Sequence, residues 1–571
     1  KKRASSIIFI ARKKVEIGKV NCIKQMEEME MKVLVLGGVA AGTKVAAKLM
    51  REDRSNEVIV LNKGANISYA GCGLPYYVGH VIEDEAQLIV NTPEKYEKLT
   101  GVKVHTETEA IAVFPEEKKV TAKHVRTGEE TVYEYDKLVI AVGASPVKPP
   151  IDGVDLENVF CVRTPEDAMN IRNLIDTGNV KKAVVVGAGY IGLEIAENLK
   201  AQGIRPFVLD MVPQILAPGF DKEMADYVEG RLTEAGIPVI TGVQVTGIEG
   251  DGKVEKVLTT KKAYKADMVV MSAGIRPNTA FLADTGIEMF KGTILTDEYG
   301  QTNIPDVYAA GDCAMVHNAV TGKAAWSPMG STANIAGRLI AQNIMGKNLK
   351  YRGVLGTAVC KLPGINVGRT GLTEAQAKAE GFQAVSVVTV VDDKAHYYAG
   401  ASSFIMKMIA DRDTLRLLGV QVIGAGAVDK VVDIAVTGMM LKATLTDLAD
   451  MDLAYAPPFS TAIHPFEHTL NVLMNKIQGN FETFTPAEYA AGAAEGYRVV
   501  DGCLVPSIEG APYVELTNVD GPVAGLDPEE KLLLVCNKGK RAYLLQNRLK
   551  FYGYKNTRVL EGGITFNDVE V

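Results

Sequence analysis

The sequence contains no long apolar run, no regular cysteine spacing and no excess of positive charge. None of its 571 residues belong to a stretch approaching the ~20 apolar residues that cross a bilayer. Its seven cysteines are too irregularly spaced for a disulfide framework. They fit a reducing compartment, so we expect a cytoplasmic protein. With 62 Lys and Arg against 69 Asp and Glu, the formal net charge is −7, which argues against nucleic acid or an anionic membrane as the main partner.

The rest of the composition is that of an ordinary globular protein with several domains. Hydrophobic residues make up 47% and charged residues 23% of the chain, which rules out wholesale disorder. The length suggests about four domains. Residues 1–30 show no periodicity, and their apolar run at 7–11 is too short for a signal peptide core. Because Met31 stands directly before a strong strand, we expect the natural start there and treat 1–30 as an N-terminal extension outside the fold.

A glycine-rich turn follows the first strong apolar run. Residues 32–36 lead into it, and a helical pattern to Met50 and a second run at 58–61 come after it. This order predicts a site where a pyrophosphate meets free amides at a helix N-terminus. A plain turn is the alternative, because Val39 replaces the middle glycine and Asn62 the expected acid, which leaves only a weak ribose contact. The residues assigned to a cofactor here are Gly37, Gly38, Val39, Ala40, Ala41, Gly42, Asn62 and Lys63.

A second glycine turn carries the complete GxGxxG pattern. The run at 183–186 leads into it, and a strand at 206–209 ends at Asp210, eighteen residues after Gly192. A carboxylate here accepts hydrogen bonds from both ribose hydroxyls and repels a 2′-phosphate, and no Arg follows it, so the sequence favours NAD over NADP. The residues assigned to this cofactor are Gly187, Gly189, Tyr190, Ile191, Gly192 and Asp210.

The two turns begin at 37 and 187, 150 residues apart. A duplicated dinucleotide fold suggests two cofactors that exchange electrons, and two independent modules with different ligands are the alternative. Two further strands end in turns of small residues, at 138–144 and 307–312, and the second turn offers a carboxylate to a ribityl chain. We add to the cofactor residues Ala141, Gly143, Gly274, Gly311 and Asp312.

Taken in this order, the segments resemble the pyridine nucleotide–disulfide oxidoreductases, flavoproteins with two dinucleotide-binding domains. The resemblance spans residues 31–480. It implies FAD in the first module, completed by residues after about 276, and NAD(P)H in the second, inserted module. It also implies that Glu194, in the helix after the second turn, is a site residue, and that Tyr190 gates the nicotinamide pocket against the flavin.

One cysteine is a candidate for redox chemistry. Cys72 lies in the string SYAGCGLPYYVG and is expected to open a helix, where a thiolate is stabilised and its pKa lowered. A buried structural cysteine is the alternative. No second cysteine follows at CxxC or CxxxxC spacing. The residue would therefore cycle through a mixed disulfide, a persulfide or a sulfenate.

The string around Cys72 resembles the single-cysteine coenzyme A disulfide reductases and their persulfide- and polysulfide-reducing relatives. NADH oxidases and peroxidases also use one cysteine, but they usually carry a His in the first glycine turn and lack the CGLPYY string. Of the residues that contact coenzyme A in the family, Arg51 and Ser68 match, and Ser68 is also assigned to the cofactor site. Gly71 and Thr100 depart from the family's Asn and Lys.

Strands at 384–391, 402–409 and 414–422, followed by helices, indicate a third domain. The resemblance makes it a dimerisation domain and places Tyr397 and Tyr455, 58 residues apart, over the active site of a partner subunit, so a homodimer would form composite sites. Ordinary aromatic packing is the alternative. His464 and His468 complete an HxxEH string, but Pro465 marks a first helical turn and no third ligand is evident, so we expect no metal.

The tail at 485–571 resembles a rhodanese domain. A strand ends at Asp501, a second strand at 531–535 leads into Cys536, and a helix is predicted over 542–552. Backbone amides at such a helix N-terminus stabilise a thiolate or persulfide, and Arg541 is expected to add positive charge. The family's Asp-Val-Arg is Asp501-Gly502-Cys503 here, so sulfur transfer and a degenerate docking domain both remain open.

The predicted fold class is α/β, with two Rossmann-like domains, an α+β dimerisation domain and an α/β rhodanese-like domain. The leading hypothesis is a homodimeric flavoprotein that passes electrons from NADH through FAD to a disulfide, persulfide or polysulfide at Cys72, with sulfur supplied by Cys536. An NADH oxidase or peroxidase with a non-catalytic tail is the alternative. The expected boundaries are an extension at 1–30, FAD-binding parts at 31–150 and 276–345, an NAD(H)-binding domain at 151–275, a dimerisation domain at 346–480 and the tail at 485–571.

Overall fold

The structure is a computed structural model that describes residues 31–571. The expectation for residues 1–30 lies outside the described residues. Within the described part, no helix combines the length and the apolar character that crossing a membrane requires.

The first sheet is parallel and completely buried at its centre. Val35 and Val60 are fully buried, as continuous apolar runs in parallel sheets require. The strand from 307 joins this sheet although it follows the first glycine turn by more than 260 residues. Helices Ala40–Glu52 and Gly330–Ile344 pack against each other on one face. In spatial order the strands are Val307–Ala309, Lys137–Ile140, Lys32–Leu36, Glu57–Leu61 and Lys103–His105.

The second sheet repeats the same architecture. Its central strand leads into the second glycine turn, as the first one does in its own sheet. In spatial order its strands are Val239–Ile240, Arg205–Leu209, Lys182–Val186, Met268–Met271 and Val159–Cys161. Its helices are Pro165–Asp176, Tyr190–Ala201 and Lys222–Glu234.

Small antiparallel sheets and short helices complete these two units. One three-stranded sheet contains Thr108–Phe114, Lys119–His124 and Glu130–Glu134, and another contains Val245–Glu249, Lys256–Thr259 and Tyr264–Lys265. The paired strands are Ala144–Pro146 with Ile275–Pro277, Met289–Phe290 with Thr293–Ile294, and Met315–His317 with Ala324–Trp326. The short helices are Leu74–Val78 and Pro93–Thr100.

The third unit is built on an antiparallel sheet. The three strands expected from sequence are present, and a hairpin at 358–371 adds two more. In spatial order the strands are Ala358–Leu362, Ile365–Gly371, Leu417–Gly424, Ser403–Asp411 and Ala384–Asp392. Helices Glu374–Ala379, Val428–Met440, Leu445–Ala449 and Pro465–Ile477 accompany it.

The C-terminal domain is a four-stranded parallel sheet that docks on this third unit. Its helix begins at Lys540, two residues before the predicted start. The Glu561 side chain is fully buried at the contact, where it accepts hydrogen bonds from the Val388 amide at 2.8 Å and from Lys476 Nζ at 2.6 Å. The strands are, in order, Thr483–Phe484, Asn556–Leu560, Lys531–Val535 and Arg498–Asp501, with helices Pro486–Ala490, Lys540–Phe551 and Gly563–Phe566.

Candidate active site

Both glycine turns require glycine for steric reasons. Gly37 and Gly187 have φ angles of +107° and +112°, in the region that side chains rarely adopt. A Cβ at Gly42 would lie 1.8 Å from the Gly37 carbonyl oxygen, and one at Gly192 would lie 2.0 Å from that of Gly187. Each turn therefore lets a helix begin directly against the end of a buried strand, which is the geometry of a dinucleotide site.

The helices after the two turns leave their N-terminal amides free. No side chain within residues 31–571 caps helix Ala40–Glu52 or helix Tyr190–Ala201, and neither has an acid in its first turn. By contrast, Thr92 and Thr164 cap the helices that they precede. Free amides and the helix dipole favour a phosphate. A Cβ at Gly189 would meet no described atom within 4 Å, so the second turn has open space for a ligand.

The polar residue after each second strand braces its turn. Asp210 accepts hydrogen bonds from the amides of Ala188 at 2.6 Å and Val212 at 2.8 Å. Asn62, which is only 7% exposed, accepts from Gly38 N at 3.0 Å. Both hydrogens of the Asn62 amide are taken by the carbonyls of residues 64 and 66. Only the carboxylate of Asp210 thus keeps strong acceptor capacity for a ribose.

Two buried hydroxyls at the second turn have no partner. The Tyr190 hydroxyl and Ser272 Oγ make no hydrogen bond within the described part of the chain. Burial raises the pKa of Tyr190 to about 12, and the nearby Arg369 opposes this. A bound group with polar atoms would satisfy both hydroxyls. The residues around the second turn therefore fit a nicotinamide dinucleotide.

Most of the other predicted cofactor residues lie beside the first turn, whereas Gly274 follows Ser272, whose carbonyl lies against the second turn. Gly143, Gly274 and Gly311 have positive φ angles of +66°, +104° and +83°. A Cβ at Gly37 would lie 2.2 Å from the Ala141 carbonyl oxygen, so the turn at 141–143 lies next to the first glycine turn. A Cβ at Gly311 would lie 3.3 Å from the Cβ of Ala41. The structure thus brings the turns at 37–42, 141–143 and 311–312 together, as a cofactor spanning them requires.

Three further predicted residues are exposed, and a fourth lies against the first turn. Lys63 pairs with Glu109 at 2.9 Å on the surface. Arg51 is exposed at the last turn of its helix. Ser68 has a φ of +47°, and its amide donates to the Gly38 carbonyl at 2.9 Å, so it lies against the first turn. Ile191 is 45% exposed in the first turn of its helix.

Cys72 is the exposed cysteine among the six in residues 31–571. It lies in the short 3-10 turn Gly71–Gly73, directly before the five-residue helix Leu74–Val78. Desolvation by surrounding atoms raises the pKa of its thiol, and the carboxylates of Glu194 and Asp312 raise it further. The expectation of a lowered pKa is wrong, because the effect of a one-turn helix is outweighed by desolvation from surrounding atoms and by two carboxylates.

A cation and a hydrogen-bonded acid surround the thiol. Arg163 pairs with Asp312 at 2.8 Å and is the group that lowers the pKa of Cys72. Tyr76 donates to Glu194 Oε1 at 3.1 Å, and burial raises the pKa of Glu194. Sequence reasoning missed Arg163 and Tyr76. Tyr76 belongs to the CGLPYY string, whereas nothing local marks Arg163.

Tyr397 and Tyr455 meet on the surface of the third unit. They are 69% and 49% exposed. A hydrogen bond between the hydroxyls of Tyr455 and Tyr397 raises the pKa of Tyr455. Phe459 and Ile463 nearby in sequence are 73% and 57% exposed. An exposed group of large apolar side chains of this kind marks a contact surface.

The HxxEH string forms a helix cap. His464 Nδ1 accepts from the Phe466 amide at 3.2 Å, and Glu467 accepts from the His464 amide at 3.2 Å. Burial lowers the pKa of His464 to about 4. Pro465 begins the helix, as expected. Within residues 31–571, no group of three or more His, Cys, Asp or Glu side chains is arranged for a metal.

Cys536 occupies a cradle of backbone amides. Its Sγ accepts hydrogen bonds from the amides of Gly539 at 3.1 Å and Ala542 at 3.3 Å, at the start of helix Lys540–Phe551. The residue is 2% exposed. Arg541 Nε donates a hydrogen bond to the Gly502 carbonyl oxygen at 3.2 Å, and its Nη2 donates to Glu515 Oε1 at 3.0 Å. The Glu515 carboxylate therefore neutralises the charge of Arg541.

Two dinucleotide-type turns and an exposed cysteine beside them define an oxidoreductase that uses two nucleotide cofactors. The model of the family "Pyridine nucleotide-disulphide oxidoreductase" matches residues 31–332, and the model of that family's dimerisation domain matches residues 357–465. The chain belongs to this family. It is an enzyme whose cofactors are FAD and NAD(P)H.

Three similar proteins extend this result. A relative from Pyrococcus abyssi, named NAD(P)H sulfur oxidoreductase (CoA-dependent), is 38% identical over 442 residues, 77% of this chain and 98% of its own. An NADH oxidase from Methanocaldococcus jannaschii is 36% identical over 450 residues, 78% of this chain and 100% of its own. The structure of an NAD-dependent persulfide reductase from A. fulgidus covers 94% of this chain and 100% of its own, with a TM-score of 0.89 and 34% identity.

Proposed function

We propose that the protein is an NADH-dependent reductase of disulfides, persulfides or polysulfides, coenzyme A-linked or inorganic, with Cys72 as its redox cysteine. The observation that carries this is the placement of Cys72. It is the exposed cysteine of the described residues, next to the Arg163–Asp312 pair at the edge of the first glycine turn's sheet. FAD, when bound, relays the electron pair from NADH to sulfur.

The chemistry assigned to Cys72 is thiol–disulfide exchange. Its thiolate attacks one sulfur of a disulfide RSSR, the S–S bond breaks, and one RS⁻ leaves as a mixed disulfide forms. The electron pair from NADH then cleaves the mixed disulfide, which returns the Cys72 thiolate and releases the second thiolate. Arg163 favours the thiolate form of Cys72, and Glu194 with its raised pKa, bonded to Tyr76, is positioned to hold or supply a proton.

Similarity supports sulfur as the acceptor and coenzyme A as its carrier. The Pyrococcus abyssi relative is named a sulfur oxidoreductase that depends on coenzyme A, and the A. fulgidus protein is named a persulfide reductase. Arg51 and Ser68 are our candidates for contacts with coenzyme A. The Methanocaldococcus relative is named an NADH oxidase, which supports a second candidate function. In that function Cys72 cycles as a sulfenate, and oxygen or peroxide accepts the electrons.

An acceptor panel distinguishes the two candidates. NADH consumption is measured anaerobically with coenzyme A disulfide, a small persulfide and polysulfide. Separate reactions contain oxygen or peroxide as the only acceptor. We expect kcat/KM for a sulfur acceptor to exceed that for oxygen by roughly 100-fold or more, a difference of about 2.7 kcal/mol in transition-state stabilisation. An oxygen value equal to or above the sulfur values would favour the oxidase.

We propose that two copies assemble through the third unit, because its family is defined as a dimerisation domain and because it exposes Tyr397, Tyr455 and Phe459 together. A twofold axis would then place the two tyrosines over the partner's Cys72, where their hydroxyls donate to a sulfur anion.

The tyrosines give the first test of this arrangement. Tyr455→Phe and Tyr397→Phe are expected to slow sulfur turnover roughly 10-fold, because each removes a donor to an anion, while the reduction of bound flavin by NADH keeps its rate. Stopped-flow absorbance separates the two half-reactions. Tyr398→Phe, 43% exposed in the same loop, is the control. If all three variants match the wild type, the tyrosines are packing residues.

Asp210 sets the expected preference for NADH. Its carboxylate is expected to bind both ribose hydroxyls and to repel a 2′-phosphate. Asp210→Asn, which keeps an acceptor for the Ala188 amide, should lower the NADH-to-NADPH ratio of kcat/KM roughly 10-fold. Asp251→Ala, an exposed acid in a turn of the same unit, serves as the control. An unchanged ratio in Asp210→Asn, or a wild type that prefers NADPH, contradicts the assignment.

We propose that the C-terminal domain is a rhodanese-like domain that accepts sulfane sulfur on Cys536. Two backbone amides already point at its sulfur, which is what a thiolate or persulfide needs. The match to the A. fulgidus persulfide reductase extends over 94% of the chain and so reaches into this domain.

A further inference from the structure

The C-terminal domain holds a second thiol next to Cys536. Cys503 follows strand Arg498–Asp501, and Cys536 follows the neighbouring parallel strand Lys531–Val535. Asp501 and Val535 are register partners, and the Gly502 amide donates to the Val535 carbonyl at 2.8 Å. The two cysteines therefore follow the carboxyl ends of two neighbouring parallel strands, and they are offset from each other by one residue.

Both thiols also pack among the same apolar side chains. They belong to one hydrophobic cluster, which contains Val500, Leu532, Leu534, Cys503 and Cys536, whereas Val499, Leu533 and Val535 belong to the cluster on the other face. A strand spacing of ~4.8 Å and an offset of ~3.3 Å correspond to about 6 Å between the two α-carbons. This lies within the range that a disulfide spans.

The surroundings favour reaction between these thiols over reaction with solvent. Cys503 is 0% and Cys536 2% exposed, and both are free. A thiol of the same domain is already in place and therefore reacts with a persulfide on Cys536 at a higher effective concentration than an external thiol does. Burial and the carboxylate of Asp501 raise the pKa of Cys503 to about 12, so this thiol keeps its proton until it reacts.

We infer that Cys503 is a resolving thiol, which attacks the persulfide on Cys536, releases hydrogen sulfide and leaves a Cys503–Cys536 disulfide. This inference rests on the proposed function of Cys536 as an acceptor of sulfane sulfur.

The atoms and electrons balance in two steps. Cys536 first takes one sulfane sulfur from a persulfide RSSH, so that Cys536–S–SH forms and RSH leaves. Cys503 then attacks Sγ of Cys536, the S–S bond of the persulfide breaks, and the outer sulfur departs with the Cys503 proton as hydrogen sulfide. The sulfane sulfur is reduced to sulfide, and the two thiols are oxidised to one disulfide.

A low-molecular-weight thiol RSH restores the domain and links it to the other site. Two successive exchanges with RSH open the Cys503–Cys536 disulfide and yield RSSR. RSSR is the class of substrate that we propose for Cys72. The C-terminal domain would then convert a persulfide into sulfide and a disulfide, and the NADH-dependent site would regenerate the thiol.

The inference is tested on the full-length holoenzyme without NADH. Reduced protein receives one equivalent of polysulfide, free thiols are blocked by alkylation, and intact and peptide masses are recorded. We expect the wild type to release sulfide and to form a crosslinked 503–536 peptide that is about 2 Da lighter than the two thiol peptides. Cys503→Ser should instead keep a persulfide of about +32 Da on Cys536 and release sulfide roughly 10-fold more slowly. Cys161→Ser is the control.

The outcomes distinguish the resolving role of Cys503 from the acceptance of sulfur by Cys536. A stable persulfide on Cys536 of the wild type, with Cys503 alkylated and sulfide release unchanged in Cys503→Ser, overturns the resolving role and leaves sulfur acceptance by Cys536 intact. A +32 Da adduct that maps to Cys503 also overturns it. Absence of any adduct on Cys536 in both proteins, and in Cys503→Ala as a second variant, overturns the proposed function of the domain itself.

Discussion

Cys72→Ser should abolish NADH-dependent reduction of disulfides and persulfides. We expect kcat to fall at least 1,000-fold, since a serine hydroxyl cannot form the mixed disulfide on which turnover depends. Flavin content and the rate at which NADH reduces bound flavin should stay within about twofold of the wild type, because no residue of the second glycine turn changes. Steady-state turnover and stopped-flow absorbance on the same preparations provide the measurement.

A buried thiol in the same neighbourhood provides the matched control for this variant. Cys360 is 4% exposed, and the carboxylate of Glu194 raises its pKa as it does that of Cys72. Cys360→Ala should keep sulfur turnover, because a buried, protonated thiol does not reach a substrate. If Cys72→Ser still turns over and Cys360→Ala does not, the chemistry belongs to the third unit and the assignment of Cys72 is wrong.

Cys536→Ser should remove sulfane transfer and spare NADH-dependent reduction. The C-terminal domain provides no flavin site in our account, so it moves sulfur without taking electrons from NADH. Transfer from polysulfide to a thiol should therefore fall below detection in Cys536→Ser, while reduction of a preformed small persulfide stays within about twofold of the wild type. Cys72→Ser should show the reverse pattern. After polysulfide exposure, mass spectrometry should show the Cys503–Cys536 disulfide in the wild type, an adduct of about +32 Da on Cys536 in Cys503→Ser, and neither in Cys536→Ser.

The charge around Cys536 predicts its choice of donor. Cys503 stands where the rhodanese pattern has an Arg, and Arg541 is neutralised by Glu515 at 3.0 Å. Thiosulfate is a dianion and gains less from a paired Arg541 than from the arginine that the rhodanese pattern supplies, so transfer from it should be slower than from polysulfide. Equal loss of both activities in Cys536→Ser and Cys72→Ser would mean that the two sites do not act separately. No transfer by the wild type from any donor would favour a docking domain.

Local steric rules made the glycine turns predictable. The first strand was expected at 32–36 and occurs at Lys32–Leu36, and the strand before Asp210 was expected at 206–209 and occurs at Arg205–Leu209. Both follow from apolar runs that end at residues with special backbone geometry, which is information within about ten residues. The position of Cys536 between a strand and a helix N-terminus was predictable for the same reason.

Contacts between distant residues could not be read from the sequence. Arg163 and Asp312 are 149 residues apart, yet their pair sets the charge beside Cys72. The sequence predicted a lowered pKa for Cys72, and this was wrong because two acids that raise the pKa, Glu194 and Asp312, come from other segments. Nothing at residues 71–73 signals them.

The hairpin at 358–371 was missed for a different reason. Its strand Ala358–Leu362 alternates between buried and exposed positions, but the exposed Val359 hides that alternation in the sequence. The dipeptide Pro363-Gly364, with a φ of +72° at the glycine, was the available turn signal. Cys360 reaches Glu194 through this hairpin.

The central claim is that electrons reach sulfur through Cys72, and one measurement tests it most directly. Enzyme reduced with one equivalent of NADH is mixed anaerobically with coenzyme A disulfide, quenched in acid at successive times, and analysed by peptide mass spectrometry. We predict that a mixed disulfide between Cys72 and coenzyme A appears and decays at the rate of thiol release. Thiol release at the full rate with no adduct on Cys72 at any time would contradict the account.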